Sequence, residues 1–159
     1  DDPQRKLVLL KYSYGNSTNY MKERTQFHKL DFSLEIQNTS WQDRHLYEYI
    51  ISEGSEEKVW QVLLEVYEPV SNPTIEILSW ALANGSCTFT LNCTVERGDR
   101  VSYSWSSQDS SSSALCSHNG SFLHLSYLME TESITCTCTA SNPISSWVAT
   151  FKSSKCSNE

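Results

Sequence analysis

All six cysteines of this 159-residue chain lie beyond residue 86, at Cys87, Cys93, Cys116, Cys136, Cys138 and Cys156. An even number confined to one half reads as a set of disulfides stapling a single module. Cys136 and Cys138 are two apart, which puts both side chains on one face of a strand. A zinc site wants two close pairs of ligands, and the other four cysteines are scattered. Paired cysteines imply an oxidising compartment, and so a secreted or cell-surface protein. Five Asn-x-Ser/Thr sequons agree with that location, at Asn16, Asn38, Asn84, Asn92 and Asn119. Each is a candidate glycosylation site that would have to face solvent.

The formal charge of −7 repels phosphate and argues against a nucleic-acid partner. No apolar run approaches the roughly 20 residues of a membrane-spanning helix, and no apolar leader opens the sequence. If the protein is membrane-bound, its anchor and its export signal are expected outside this sequence.

Most apolar runs are short, alternate with polar residues and end in turns, which points to an all-β chain. Strands are expected at Lys6–Tyr14, Phe32–Ile36, Leu46–Ser52 and Val59–Tyr67. Pro69 and Pro73 then interrupt the pattern, since proline cannot extend a sheet there. The cysteines begin only after them. A domain boundary is expected near residue 70, giving domains 1–69 and 70–159. In the second, strands are expected from Thr74 and at Cys87–Cys93, Val101–Trp105, Phe122–Leu128, Ile134–Ala140 and Trp147–Phe151. A serine-rich loop, Ser107–Ser113, lies between.

Cys93, Trp105 and Cys138 carry the fold assignment. In an immunoglobulin sandwich, a cysteine on strand B bridges to one on strand F, and a strand-C tryptophan packs on the bridge. Order, residue type and strand context all fit. Cys87 and Cys156 stand at the two ends of the same segment, where the first and last strands of a sandwich come together, so a second bridge is expected. Cys136 points inward where the fold often carries a corner tyrosine. A third bridge to Cys116 is the reading adopted, with free or intermolecular thiols as its alternative. The first domain is quieter. Asp43-Arg44-His45-Leu46-Tyr47-Glu48-Tyr49 resembles the variable-type F-strand pattern Asp-x-Gly-x-Tyr-x-Cys, with His45 in place of glycine and Tyr49 in place of cysteine. Arg24 is the candidate ion-pair partner of Asp43.

A variable-like domain without a disulfide followed by a constant-like domain with two or three resembles the ectodomains of the signalling lymphocytic activation molecule (SLAM) family. The resemblance rests on Asn84–Ser106 (NGSCTFTLNCTVERGDRVSYSWS), Cys138–Ser146 (CTASNPISS) and the joint Leu64–Pro73 (LEVYEPVSNP). It is specific in the second domain, where the founding member is the nearest match, and only patterned in the first. It implies a leukocyte adhesion or co-receptor ectodomain. Such an ectodomain binds itself or a sister receptor through the front sheet of its first domain, with the second domain as a spacer. It also implies that strands A to C of the first domain have no counterpart here. Residues upstream of this sequence are the reading adopted for them, with a trimmed or altered form, or strands supplied from elsewhere, as the alternatives; without them Leu34, Ile36 and Tyr49 would be exposed.

Alternation along the strands proposes where a partner would dock. With Tyr47, Tyr49 and Ile51 turned to the core, Glu48, Ile50 and Ser52 face outward. With Val62, Leu64 and Val66 in the core, Gln61, Leu63 and Glu65 face outward. The intervening turn, Glu53–Lys58, concentrates Glu53, Glu56 and Glu57 beside Lys58. The candidate partner-binding set is Glu48, Ile50, Ser52, Glu53, Glu56, Glu57, Lys58, Gln61 and Leu63. It suits a protein with a basic rim, and the bland reading is a solvated turn.

Enzymatic chemistry finds no support: His28, His45, His118 and His124 are scattered, and the serines lie in loops without a paired base. No cofactor, metal or small-molecule substrate is implied. Two other readings are a soluble or virus-encoded decoy of such a receptor and a cytokine-receptor-like module. The second rests only on Trp105-Ser106.

Overall fold

The computed structural model describes residues 6–110, 112–131, 133–154 and 156. The chain forms two compact units, Asp1–Val66 and Tyr67–Glu159, both built almost wholly of antiparallel strands. They are tandem immunoglobulin-like domains. The first is variable-like without a disulfide, and the second is constant-like with three.

The first unit consists of three hairpins. β1 (Leu10–Ser13) pairs with β2 (Asn16–Asn19), β3 (Thr25–His28) with β4 (Ser33–Ile36), and β5 (Leu46–Glu53) with β6 (Glu56–Leu63). β1 is shorter than the expected Lys6–Tyr14. β2 (NSTN) and β3 (TQFH) are mostly polar and carry no alternation that periodicity could detect. β6 starts three residues before the expected Val59, because the reversal is confined to Gly54 and Ser55, with Gly54 at φ +60°. Tyr12, Phe27 and Phe32 cluster with ring centroids 5.4–6.2 Å apart.

The second unit is a sandwich. One sheet has the order β11-β8-β7, from Phe122–Leu128, Ser86–Thr94 and Thr74–Ala83. The other has the order β10-β9-β12-β13, from His118–Asn119, Ser102–Ser106, Ser133–Asn142 and Ser145–Ser154. β8, β11 and β12 alternate between buried and open positions along almost their whole length, as strands with one face on a core must. The inward residues Phe89, Leu91, Leu123, Leu125, Tyr127, Ile134 and Phe151 form that core.

Three bridges lock it. Cys93–Cys138 crosses from β8 to β12 between the sheets, and Trp105, only 2% exposed, packs in the same cluster and donates its Nε1–H to the Ser121 carbonyl. Cys87–Cys156 ties the start of β8 to the chain beyond β13. Cys116–Cys136 ties the short helix α1 (Ser113–Cys116) to β12.

The Ser141-Asn142-Pro143 turn organises one end of this unit. The Asn142 side-chain amide donates to the carbonyls of Glu68 and Asp99, while its oxygen accepts from the Ile144 and Ser145 backbone. Val70 is buried beside it. A Cβ at Gly98 (φ +135°) would lie 3.0 Å from the Val70 Cα. The segment holding Pro69 and Pro73 is thereby built into the second unit.

Candidate functional site

The base of the β5–β6 hairpin is set by an ion pair. Arg24, just before β3, donates two hydrogen bonds to the Asp43 carboxylate, at 2.9 and 2.7 Å, and the Ser40 backbone N–H donates a third at 2.9 Å. Asp43 closes a 3-10 turn (Trp41–Asp43) and is buried. The Arg24 hydrogen bonds, followed by that of Ser40, hold its carboxyl down at about 2. Tyr47 then donates its hydroxyl to the Asp43 carbonyl at 2.7 Å. This is the tyrosine corner of an immunoglobulin F strand, two residues before the position of the missing cysteine. Burial, helped by the Asp43 charge, pushes the Tyr47 hydroxyl up from its ordinary value. Asp43, Tyr47 and Arg24 thus do in packing terms what the F-strand pattern predicts.

Above that base the register decides which side chains share a face. Leu46 lies opposite Leu63, Glu48 opposite Gln61, Ile50 opposite Val59, and Ser52 opposite Glu57. Directly opposed residues point the same way. Glu48, Ile50, Ser52, Glu57, Gln61 and Leu63 therefore form one surface. It also includes Leu46 and Val59, which alternation within each strand places there but which the candidate set left out. The two-residue turn at Gly54-Ser55 sets the register that joins the face of one strand to that of the other.

Three residues of the candidate set fall on the opposite face. Lys58 pairs with Ile51, and Glu53 with Glu56, at the tip. Two carboxylates directly opposed weaken pairing there.

The first face is open. Ile50 is 49% and Leu63 65% exposed, and Leu46 and Val59 are open as well. Glu48 is half-buried and pairs with the exposed Lys6 ammonium at 2.8 Å. The Ser52 hydroxyl donates to the Glu57 carboxylate at 3.3 Å.

The second face, expected to be core, is also not enclosed. Tyr49 and Trp60 lie 6.0 Å apart between ring centroids, and both are half-open, as are Ile51 and Val62. Leu34 is exposed and Ile36 half-buried.

Among the described residues, no group of three or more His, Cys, Asp or Glu could hold a metal ion, and no helix is long and apolar enough to cross a membrane. A depression beside the hairpin base, lined by Trp41, Arg44, Leu63, Leu64 and Glu65, is shallow and open. The sequon residues Asn16, Asn38, Asn84 and Asn119 are exposed. Asn92 sits mid-strand in β8, half-buried, with its Oδ1 enclosed and unpartnered.

No family model matches the chain. It is 32% identical over 157 residues to the dog signaling lymphocytic activation molecule, covering 98% of this chain and 46% of that protein. The mouse protein of the same name is 30% identical over 149 residues, covering 92% and 43%. Human SLAM family member 7 is 30% identical over 130 residues, covering 80% and 38%. The chain thus spans under half the length of these relatives. Among solved structures, it matches the CD2-binding domain of CD58 with a TM-score of 0.56 and 20% identity, over 89% of this chain and 76% of that one. That likeness shows the fold alone.

Proposed function

The chain belongs to the SLAM family, as an extracellular, non-enzymatic ectodomain of receptor or adhesion type, and from that premise we propose that it docks on another protein through the β5–β6 face of its first unit. The partner on this reading is a second copy or a sister member of the family. The observation that carries it is two open apolar pairs on one face of a regular hairpin, Leu46–Leu63 and Ile50–Val59, with the Glu48–Gln61 pair between them and Ser52–Glu57 beyond. Large apolar side chains in the middle of a contact supply most of its affinity, and surrounding charges steer and select. The face also lies in a stretch without glycan acceptors: no sequon occurs between Asn38 and Asn84.

Surface plasmon resonance of the glycosylated chain against itself and a panel of SLAM-family ectodomains tests the reading. A saturable response is expected. Ile50→Arg or Leu63→Arg should reduce affinity by roughly tenfold or more, the effect of losing a central anchor, while the far-UV circular dichroism stays unchanged. Binding that survives both substitutions, or no binding by a folded chain, overturns it.

A further inference from the structure

We propose that Asn92 carries an N-linked glycan whose first sugar lies against the ring of Phe122, so that this glycan forms part of the folded surface of the second unit. β8 is the middle strand of its sheet. Leu91 and Cys93, on either side of Asn92, are buried in the core, so the Asn92 side chain points to the outer face. There it lies directly opposite Phe122 of β11 on one side and Glu76 of β7 on the other. Directly opposed residues share a face. Phe122 is 51% exposed and stands outside the core. Its surroundings on that face are polar, with Thr90 bonded to His124 at 3.2 Å. The protein's own packing leaves this ring uncovered, and the sequon Asn92-Cys93-Thr94 stands directly beside it.

The amide is oriented for the linkage. Its Oδ1 is enclosed and without a partner, while Nδ2, the atom that bonds a sugar, is not enclosed. Opposed side chains have their Cβ atoms about 4.5–5.5 Å apart, a gap that one pyranose ring spans. The C–H groups on the face of that ring carry slight positive charge and meet the negative π face of Phe122, and both apolar surfaces leave water. The other four sequons lack this arrangement. Asn16 and Asn119 lie opposite Ser13 and Ser104, and Asn38 and Asn84 fall between strands at positive φ.

In the attachment step Nδ2 bonds to C1 of an oligosaccharide carried on a polyprenyl diphosphate. The C1–O bond breaks, the diphosphate leaves with the electron pair, and the Nδ2 proton passes to a base. A strand paired on both sides holds its backbone away from a transferase, so attachment precedes closure of the sheet.

The chain is secreted from mammalian cells, and peptide mapping by mass spectrometry reads occupancy at Asn92. Melting of the second unit is then followed in F122A, T94A and the double variant, a cycle that isolates the coupling between ring and glycan. T94A removes the sequon and leaves Asn92 in place, whereas T94S keeps it. Asn92 should be occupied. F122A should lower the melting temperature by roughly 4 °C or more in the glycosylated chain, but by no more than about 1 °C in T94A. T94S and N119Q should both retain the full effect of F122A. On the folded chain, a glycosidase should release the Asn92 glycan severalfold more slowly than the Asn84 one, and F122A should abolish that difference. An unmodified Asn92 overturns the proposal. So does an F122A cost that is equal with and without Thr94, or that disappears in N119Q, and so does release at equal rates from Asn92 and Asn84.

Discussion

At the scale of single residues, Asp43 gathers the most structure for its size. Its carboxylate accepts from Arg24 and from the Ser40 backbone, and its carbonyl accepts from Tyr47. In a domain without a disulfide these bonds fix where β5 begins. The folded carboxyl titrates at about 2, below the ~3.9 of an unfolded aspartate. A depressed pKa stabilises the fold above the unfolded value, and that contribution is lost as pH falls through the folded one. The first unit should therefore lose stability between roughly pH 4 and pH 2. R24M should weaken it at neutral pH and flatten that acid dependence, as read by denaturation midpoints of the two proteins across the window. Trp105 is the counterpart in the second unit. It is enclosed and hydrogen-bonded, so W105A should cost about 3–5 kcal/mol in a urea titration of that unit.

Single elements show how local chemistry sets a surface. A reversal confined to Gly54 and Ser55 places Glu53 against Glu56 and hence Ile50 against Val59. Inserting one residue in that turn shifts the pairing and turns alternate side chains to the other face. On the second unit, Cys136 occupies the inward place two residues before Cys138 and ties down α1 through Cys116. The bridge closes a loop of sequence separation 20, for which chain entropy predicts about 3 kcal/mol. C116A/C136A should lower the stability of the second unit by about that amount while the Cys93–Cys138 bridge remains. Limited proteolysis should then cut first near the serine-rich stretch before α1, which is the segment released.

For the molecule as a whole, the two units are stabilised by different means. The second has a continuous core and three bridges. The first has hairpins, one aromatic cluster and the Arg24–Asp43–Tyr47 network. Calorimetry should resolve an early transition that responds to acid and ignores reductant, and a later one that moves down when the disulfides are reduced. A single transition sensitive to both treatments would contradict this division.

Residue types and their spacing were enough to identify the second unit. Cys93, Trp105 and Cys138 have one arrangement in a sandwich of short strands, and alternation in CTFTLNC and ITCTCTA marks which side chains turn inward. The F-strand pattern was legible too, because Asp43 and Tyr47 bond to groups close in sequence or at the foot of the same strand. Polar β2 and β3 were not, since their pairing depends on neighbours and leaves no periodic trace. For Cys116 the sequence favoured Cys136 over a free or intermolecular thiol, and the bridge that ties α1 to β12 decides for it. The candidate face lies between these cases. Alternation within each strand groups Leu46 with Ile50, groups Val59 with Leu63 and sets Lys58 apart, but that the two groups form one surface follows only from register. Register is a relation between two strands, so it is decided by the tertiary structure, where the turn and both strands are held at once.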